Sequence, residues 1–103
     1  MKELQDLVRE FVDKYNLRKE HGFLTNVTFE ELGELSKEIR LSTGYGIREF
    51  TSTKEIHGEL GDVLMNLIRL ANECEVDMEE ALKDTMKKMA ERIELKGHPG
   101  SRQ

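Results

Sequence analysis

From Val63 to Ala71 the chain reads Val-Leu-Met-Asn-Leu-Ile-Arg-Leu-Ala, apolar almost all the way round a helix. A helix that is apolar on every side must be covered on every side. No apolar run in the chain approaches the ~20 residues needed to span a membrane, so the cover has to be protein. A chain of 103 residues builds one modest core, burying roughly 60–70% of its unfolded surface. It can hardly enclose such a helix alone. The sequence therefore predicts an oligomer with this helix near the interface.

Periodicity and capping signals predict four helices. The first covers Lys2 to Asn16, with Leu4, Leu7, Val8, Phe11, Val12 and Tyr15 on one stripe. A polar stretch from Leu17 to Asn26 reads as a connection. Thr28 and Glu31 have capping-box spacing and predict a second helix from Thr28 to about Leu41, with Leu32, Leu35 and Ile39 as its stripe. Ser52 and Glu55 repeat the spacing and open the third helix, which runs to about Glu73. Asp77 and Glu80 open a fourth that reaches Leu95. Gly97, Pro99 and Gly100 then break the pattern. One helical domain over 1–95 and a flexible tail over 96–103 are expected. The fold class is all-α, a four-helix bundle-like subunit.

Composition agrees and narrows the function. Charged residues make up 36% of the chain and aromatics 6%, with no Trp and one Pro, which favours helix over sheet. The net charge is −5, so no basic surface supports binding to a nucleic-acid polymer. An acidic protein still binds phosphates where cations mediate the contact. The single cysteine, Cys74, permits no disulfide within the chain and fits a reducing compartment. The first 16 residues contain no apolar signal core. A soluble cytoplasmic protein without a membrane partner is expected.

The chemistry is concentrated in carboxylates. Glu31, Glu34 and Glu38 share one face of the second helix, since i, i+3 and i+7 nearly superpose. Glu59 and Asp62 stand at i and i+3 on the third helix. A Glu pair at this spacing is more often a solvated face. Two pairs on consecutive helices, each beside an apolar stripe, shift the balance. The two share a local frame, Glu31-Leu-Gly-Glu34-Leu and Glu59-Leu-Gly-Asp62-Val. A helical Gly costs about 1 kcal/mol relative to Ala, so its presence in both frames suggests a close approach. Packed antiparallel, the helices would bring four mutually repelling carboxylates together, and a hard divalent cation such as Mg²⁺ relieves that repulsion. Redox iron is disfavoured: carboxylate-bridged di-iron bundles use Glu-x-x-His, and Arg18, Lys54 and Leu95 precede His21, His57 and His98 by three.

The ordered set Glu30-Glu31-x-x-Glu34, 24 residues, then Glu59-x-x-Asp62-Val63-Leu64 resembles the MazG family of all-α nucleoside triphosphate pyrophosphohydrolases. Arg69-Leu70-Ala71-Asn72, Asp77-x-Glu79-Glu80-Ala81-Leu82, Lys88 and Arg92 extend the resemblance, which covers Phe23 to Arg92. It implies that Glu31, Glu34, Glu59 and Asp62 bind Mg²⁺, with Mn²⁺ able to substitute. It also implies hydrolysis of a (deoxy)nucleoside triphosphate to a monophosphate and pyrophosphate, and assembly as a homodimer or homotetramer. Nucleotide-pool housecleaning is the family's general association.

Supporting roles fall to fewer residues. Glu38 or Glu30 would orient or deprotonate the attacking water; a surface role is the plain alternative for each. Lys88 and Arg92, one turn apart, would meet a substrate phosphate, against a solvated lysine-rich face as the alternative. Asn66 interrupts the apolar helix one turn after Asp62 and needs a hydrogen-bond partner, either in the site or on another helix. Family members often carry a Trp near the base pocket; Phe23 occupies about that place here, with Tyr45 and Phe50 as further stacking candidates. Met65, Met86 and Met89 read as core fillers. Phosphoribosyl-ATP pyrophosphohydrolase is a related alternative, disfavoured because Asn66 stands where that family carries His. A non-catalytic helical nucleotide-binding or interaction module is the third reading, disfavoured because no motif acid is missing.

Overall fold

The computed structural model describes residues 1–98. Among these residues there are four helices: α1 Lys2–Lys14, α2 His21–Ser42, α3 Lys54–Glu73 and α4 Met78–Lys96. No strand occurs among the described residues. The part of the expected tail from residue 99 onward lies outside them. Among the described residues no helix is long and apolar enough to cross a membrane.

The largest difference from expectation is the start of α2, seven residues before Thr28. The Thr28 hydroxyl does not cap; it donates to the Leu24 carbonyl at 2.7 Å, one turn back inside the helix. Thr25 does the same to His21 at 2.8 Å. Helix propensity in this stretch is poor, and tertiary burial overrides it: Leu24 is fully buried. Leu24→Ala should therefore cost about 2–5 kcal/mol of stability, the range for a buried Leu. A loss below about 1 kcal/mol in urea melts would mean that this segment is the loop its composition suggests.

The other starts follow their side chains. The Thr53 hydroxyl accepts from Ile56 N–H at 3.1 Å, one residue after the expected Ser52 cap. Asp77 accepts from Glu80 N–H at 3.0 Å, as its spacing predicts. At the far end of α2, Gly44 has φ +58°, and a side chain there would also meet the Arg48 guanidinium 3.0 Å away. Arg48 itself donates to the Leu41 carbonyl at 3.2 Å, which also accepts from Gly44 N–H at 3.0 Å.

α2 and α3 form an antiparallel pair, and α1 packs along α3. The core joins Val8, Val12 and Ile68, with Met1, Leu17, Met65 and Met78 against it. Gln5 is buried as well, and its side chain is fully engaged. It donates to Asn72 Oδ1 and the Val76 carbonyl at 2.9 Å each, and accepts from Met78 N–H at 3.0 Å. This one side chain ties α1 to the turn between α3 and α4.

Much apolar surface stays open on the single chain. Leu4, Leu7, Phe11 and Tyr15 form an exposed stripe beside the buried Gln5, Val8 and Val12. Leu60, Leu64 and Leu67 are exposed on α3, the helix expected to be apolar all round. α4 has no buried residue. Met86, read as a core filler, is exposed, whereas Met65 lies against the core. The radius of gyration, 16.7 Å, exceeds the ~13 Å of a compact chain this long.

Candidate metal centre

The α2–α3 pair sets the site. At one end His21 Nε2 meets the Glu73 carbonyl at 2.7 Å. About ten residues further along α2, Glu31 faces Glu59 and Asp62. One carboxylate oxygen from each of these three lies within 4.8 Å of the others. Antiparallel packing thus brings the Glu59–Asp62 pair of α3 and Glu31 of α2 into one cluster. Of the stripe expected on α2, Leu32 and Ile39 are exposed and Leu35 is half-buried on the single chain.

The cluster is strained electrostatically. Burial pushes the Glu59 carboxyl above the usual carboxylate range, and the charges of Glu31, Asp62 and Glu34 push it the same way. Glu59 Oε2 is buried with no hydrogen-bond partner. An orphaned buried acceptor beside like charges is what a cation would satisfy. The donors are hard carboxylate oxygens, the set that suits Mg²⁺. Glu34 is exposed and lies outside the tight trio, although its charge reaches Glu59.

The remaining candidates are spread more widely. Glu38 is half-buried on the α2 face of Glu31 and Glu34, and Glu30 is exposed. Asn66 sits one turn beyond Asp62, where its Oδ1 accepts from Arg69 Nη1 at 3.1 Å. Phe23 is in the first turn of α2 beneath the Arg18 guanidinium, 4.0 Å from the ring centroid, a cation–π contact. Lys88 and Arg92 are exposed on α4, which supplies no member of the acidic trio. Lys88 shares a surface depression with Asp84, Lys87 and Glu91. A Cβ added at Gly33 or Gly61 would meet nothing within 4 Å, so the close approach expected at these glycines does not occur within this chain. Arg18 and Arg69 acquire a place beside Phe23 and Asn66 only through contacts made in the fold. The i, i+3 spacing of Asn66 and Arg69 was the available signal.

The sequence model of the MazG nucleotide pyrophosphohydrolase domain matches residues 24–95. The uncharacterised protein YpjD of Bacillus subtilis (strain 168) is 34% identical over 86 residues, covering 78% of this chain and 77% of that protein. No solved structure gives a significant match. The domain match takes in both acid pairs and well over half of the chain, which thus belongs to the MazG nucleotide pyrophosphohydrolase domain family.

Proposed function

We propose that this protein is a Mg²⁺-dependent pyrophosphohydrolase that converts a (deoxy)nucleoside triphosphate to its monophosphate and pyrophosphate in the cytoplasm. The observation that carries the reading is the convergence of Glu31, Glu59 and Asp62 within 4.8 Å, with one buried Glu59 oxygen left unpaired. Glu31, Glu34, Glu59 and Asp62 are the proposed metal ligands. Bound there, divalent cations would supply the charge that stabilises the attacking and leaving oxygens and would lower the pKa of coordinated water.

The protein's own groups have separate tasks. Glu38, with Glu30 as the alternative, would hold the attacking water and accept its proton. A bond forms from that water oxygen to the α-phosphorus, the α–β anhydride bond breaks, and pyrophosphate leaves. Asn66 and Phe23 would contact the nucleoside end. Residues 1–95 would act as a single domain within a homodimer or homotetramer.

The test is pyrophosphate release from a panel of deoxynucleoside triphosphates with Mg²⁺ or Mn²⁺, abolished by EDTA. Release of orthophosphate with a nucleoside diphosphate, or no turnover across the panel, would sink the reading. Lys88 and Arg92 are the proposed phosphate contacts. Alanine at either should lower kcat/KM by about tenfold or more, on the scale of one charge-assisted hydrogen bond, with little change in melting temperature. Unaltered kinetics in both variants would return them to a solvated face of α4.

A further inference from the structure

We propose that Arg69 is a positioning residue: its hydrogen bond to Asn66 Oδ1 fixes the Asn66 side-chain amide so that the Nδ2 hydrogens are presented to the nucleotide. The inference rests on the reading of this site as a nucleotide site and deepens it. An arginine guanidinium carries only donors, and a primary amide carries one acceptor and two donor hydrogens. Arg69 Nη1 lies 3.1 Å from Asn66 Oδ1. That contact is favourable in only one of the two amide orientations; the flipped amide would set donor against donor. The bound orientation commits Oδ1 to Arg69 and leaves Nδ2, for which the described residues supply no acceptor.

Arg69 is itself held. Its Nη2 donates to the Arg18 carbonyl at 2.9 Å, in the segment that joins α1 to α2. Its Nε is buried without a partner, which is unfavourable for folding. Packing alone therefore gives a poor reason for an arginine here; an apolar side chain would fill the space without the orphaned donor. Asn66 follows Asp62 by four residues, about 6 Å along the helix axis. A nucleotide whose phosphates engage the acidic cluster would extend past Asn66, where the fixed Nδ2 hydrogens would donate to an oxygen acceptor on its sugar or α-phosphate. Arg69 would contact no part of the substrate.

A double-mutant cycle tests this, using whichever triphosphate among dATP, dCTP, dGTP, dTTP and dUTP turns over best. Asn66→Ala should raise KM about tenfold, the loss of one hydrogen bond of ordinary strength, with kcat within about twofold. Arg69→Met should raise KM severalfold, and the double variant should be no worse than Asn66→Ala. Independent, multiplying effects would overturn the proposal, as would a wild-type KM in Arg69→Met. Asn66→Asp guards against a folding defect, because it still accepts from Arg69 yet has no donor; it too must raise KM, and a wild-type value would overturn the proposal. A readout without turnover separates the two levels. The Asn66 side-chain amide resonance should shift in Arg69→Met and return towards its wild-type position in Arg69→Lys. An amide unmoved in Arg69→Met refutes the positioning role, whereas a wild type inert on every triphosphate refutes the pyrophosphohydrolase reading.

Discussion

Asp62→Asn is expected to abolish triphosphate turnover while leaving the metal-free protein at least as stable as the wild type. Loss of a ligand to a catalytic divalent ion removes several kcal/mol of transition-state stabilisation, a rate loss of about a thousandfold or more. Stability should move the other way. Asp62 stands beside Glu31 and Glu59, and its charge helps push the Glu59 carboxyl upward, after burial and Glu31. Asn keeps the shape and removes the repulsion. The sign with pH follows from Glu59. Its folded value is raised above its unfolded one, so its stability contribution is complete below the unfolded value and is lost as pH rises through the folded value. The gain from Asp62→Asn should accordingly be larger at neutral pH than in acid. Mg²⁺ at ten times its dissociation constant should stabilise the wild type by about 1.4 kcal/mol, a melting shift of roughly 5–10 °C for a chain this size. The variant should respond far less. If Asp62→Asn instead lowers apo stability by about 3–5 kcal/mol, the scale of a broken structural ion pair, the fold depends on the Asp62 charge and its assignment to the metal site fails.

The second large effect concerns assembly. The protein is expected to sediment as a dimer or tetramer at micromolar concentration, with no stable folded monomer. Among the described residues of one chain only Val8, Val12, Leu24, Ile56 and Ile68 are buried apolar residues. That core is small against the ordering entropy of four helices, at about 1–2 kcal/mol per residue for the backbone alone. Leu60, Leu64 and Leu67 on α3, Leu4, Leu7 and Phe11 on α1, and Leu82, Met86 and Ile93 on α4 are all exposed. Burying surface of this extent would contribute roughly 25 cal/mol per Å². Stability should therefore depend on protein concentration, with melting temperature falling on dilution. A monomer that melts cooperatively at a concentration-independent temperature would contradict this.

Local signals in the sequence were reliable where a side chain and its own helix decide the outcome. Asp77 caps α4 because its carboxylate reaches Glu80 N–H, a contact readable from spacing. The acid pairs were legible for the same reason, since i and i+3 share a face whatever the fold. The beginning of α2 was not legible. Thr28 looks like a cap, yet its hydroxyl turns back onto Leu24, and the extra turns exist because Leu24 is buried by other elements. An added Cβ at Gly33 or Gly61 meets nothing within 4 Å among the described residues, so the lack of a side chain there serves no contact within the single chain. Arg69 takes no separate role from the sequence beyond the family resemblance, because its meaning lies in two partners, one of them a backbone carbonyl 51 residues away. The match of the MazG domain model to residues 24–95 agrees with the resemblance carried by the acid motif.

Hydrolysis in ¹⁸O-labelled water with Mg²⁺ tests the central claim most directly. Attack at the α-phosphorus places one labelled oxygen in the nucleoside monophosphate and none in the pyrophosphate, and EDTA or Asp62→Asn should stop the reaction. Label in the pyrophosphate would mean attack at the β-phosphorus, and label in orthophosphate would mean attack at the γ-phosphorus. Label in the pyrophosphate would overturn attack at the α-phosphorus, and label in orthophosphate, or undiminished turnover without a divalent cation, would contradict a metal-dependent pyrophosphohydrolase built on Glu31, Glu34, Glu59 and Asp62.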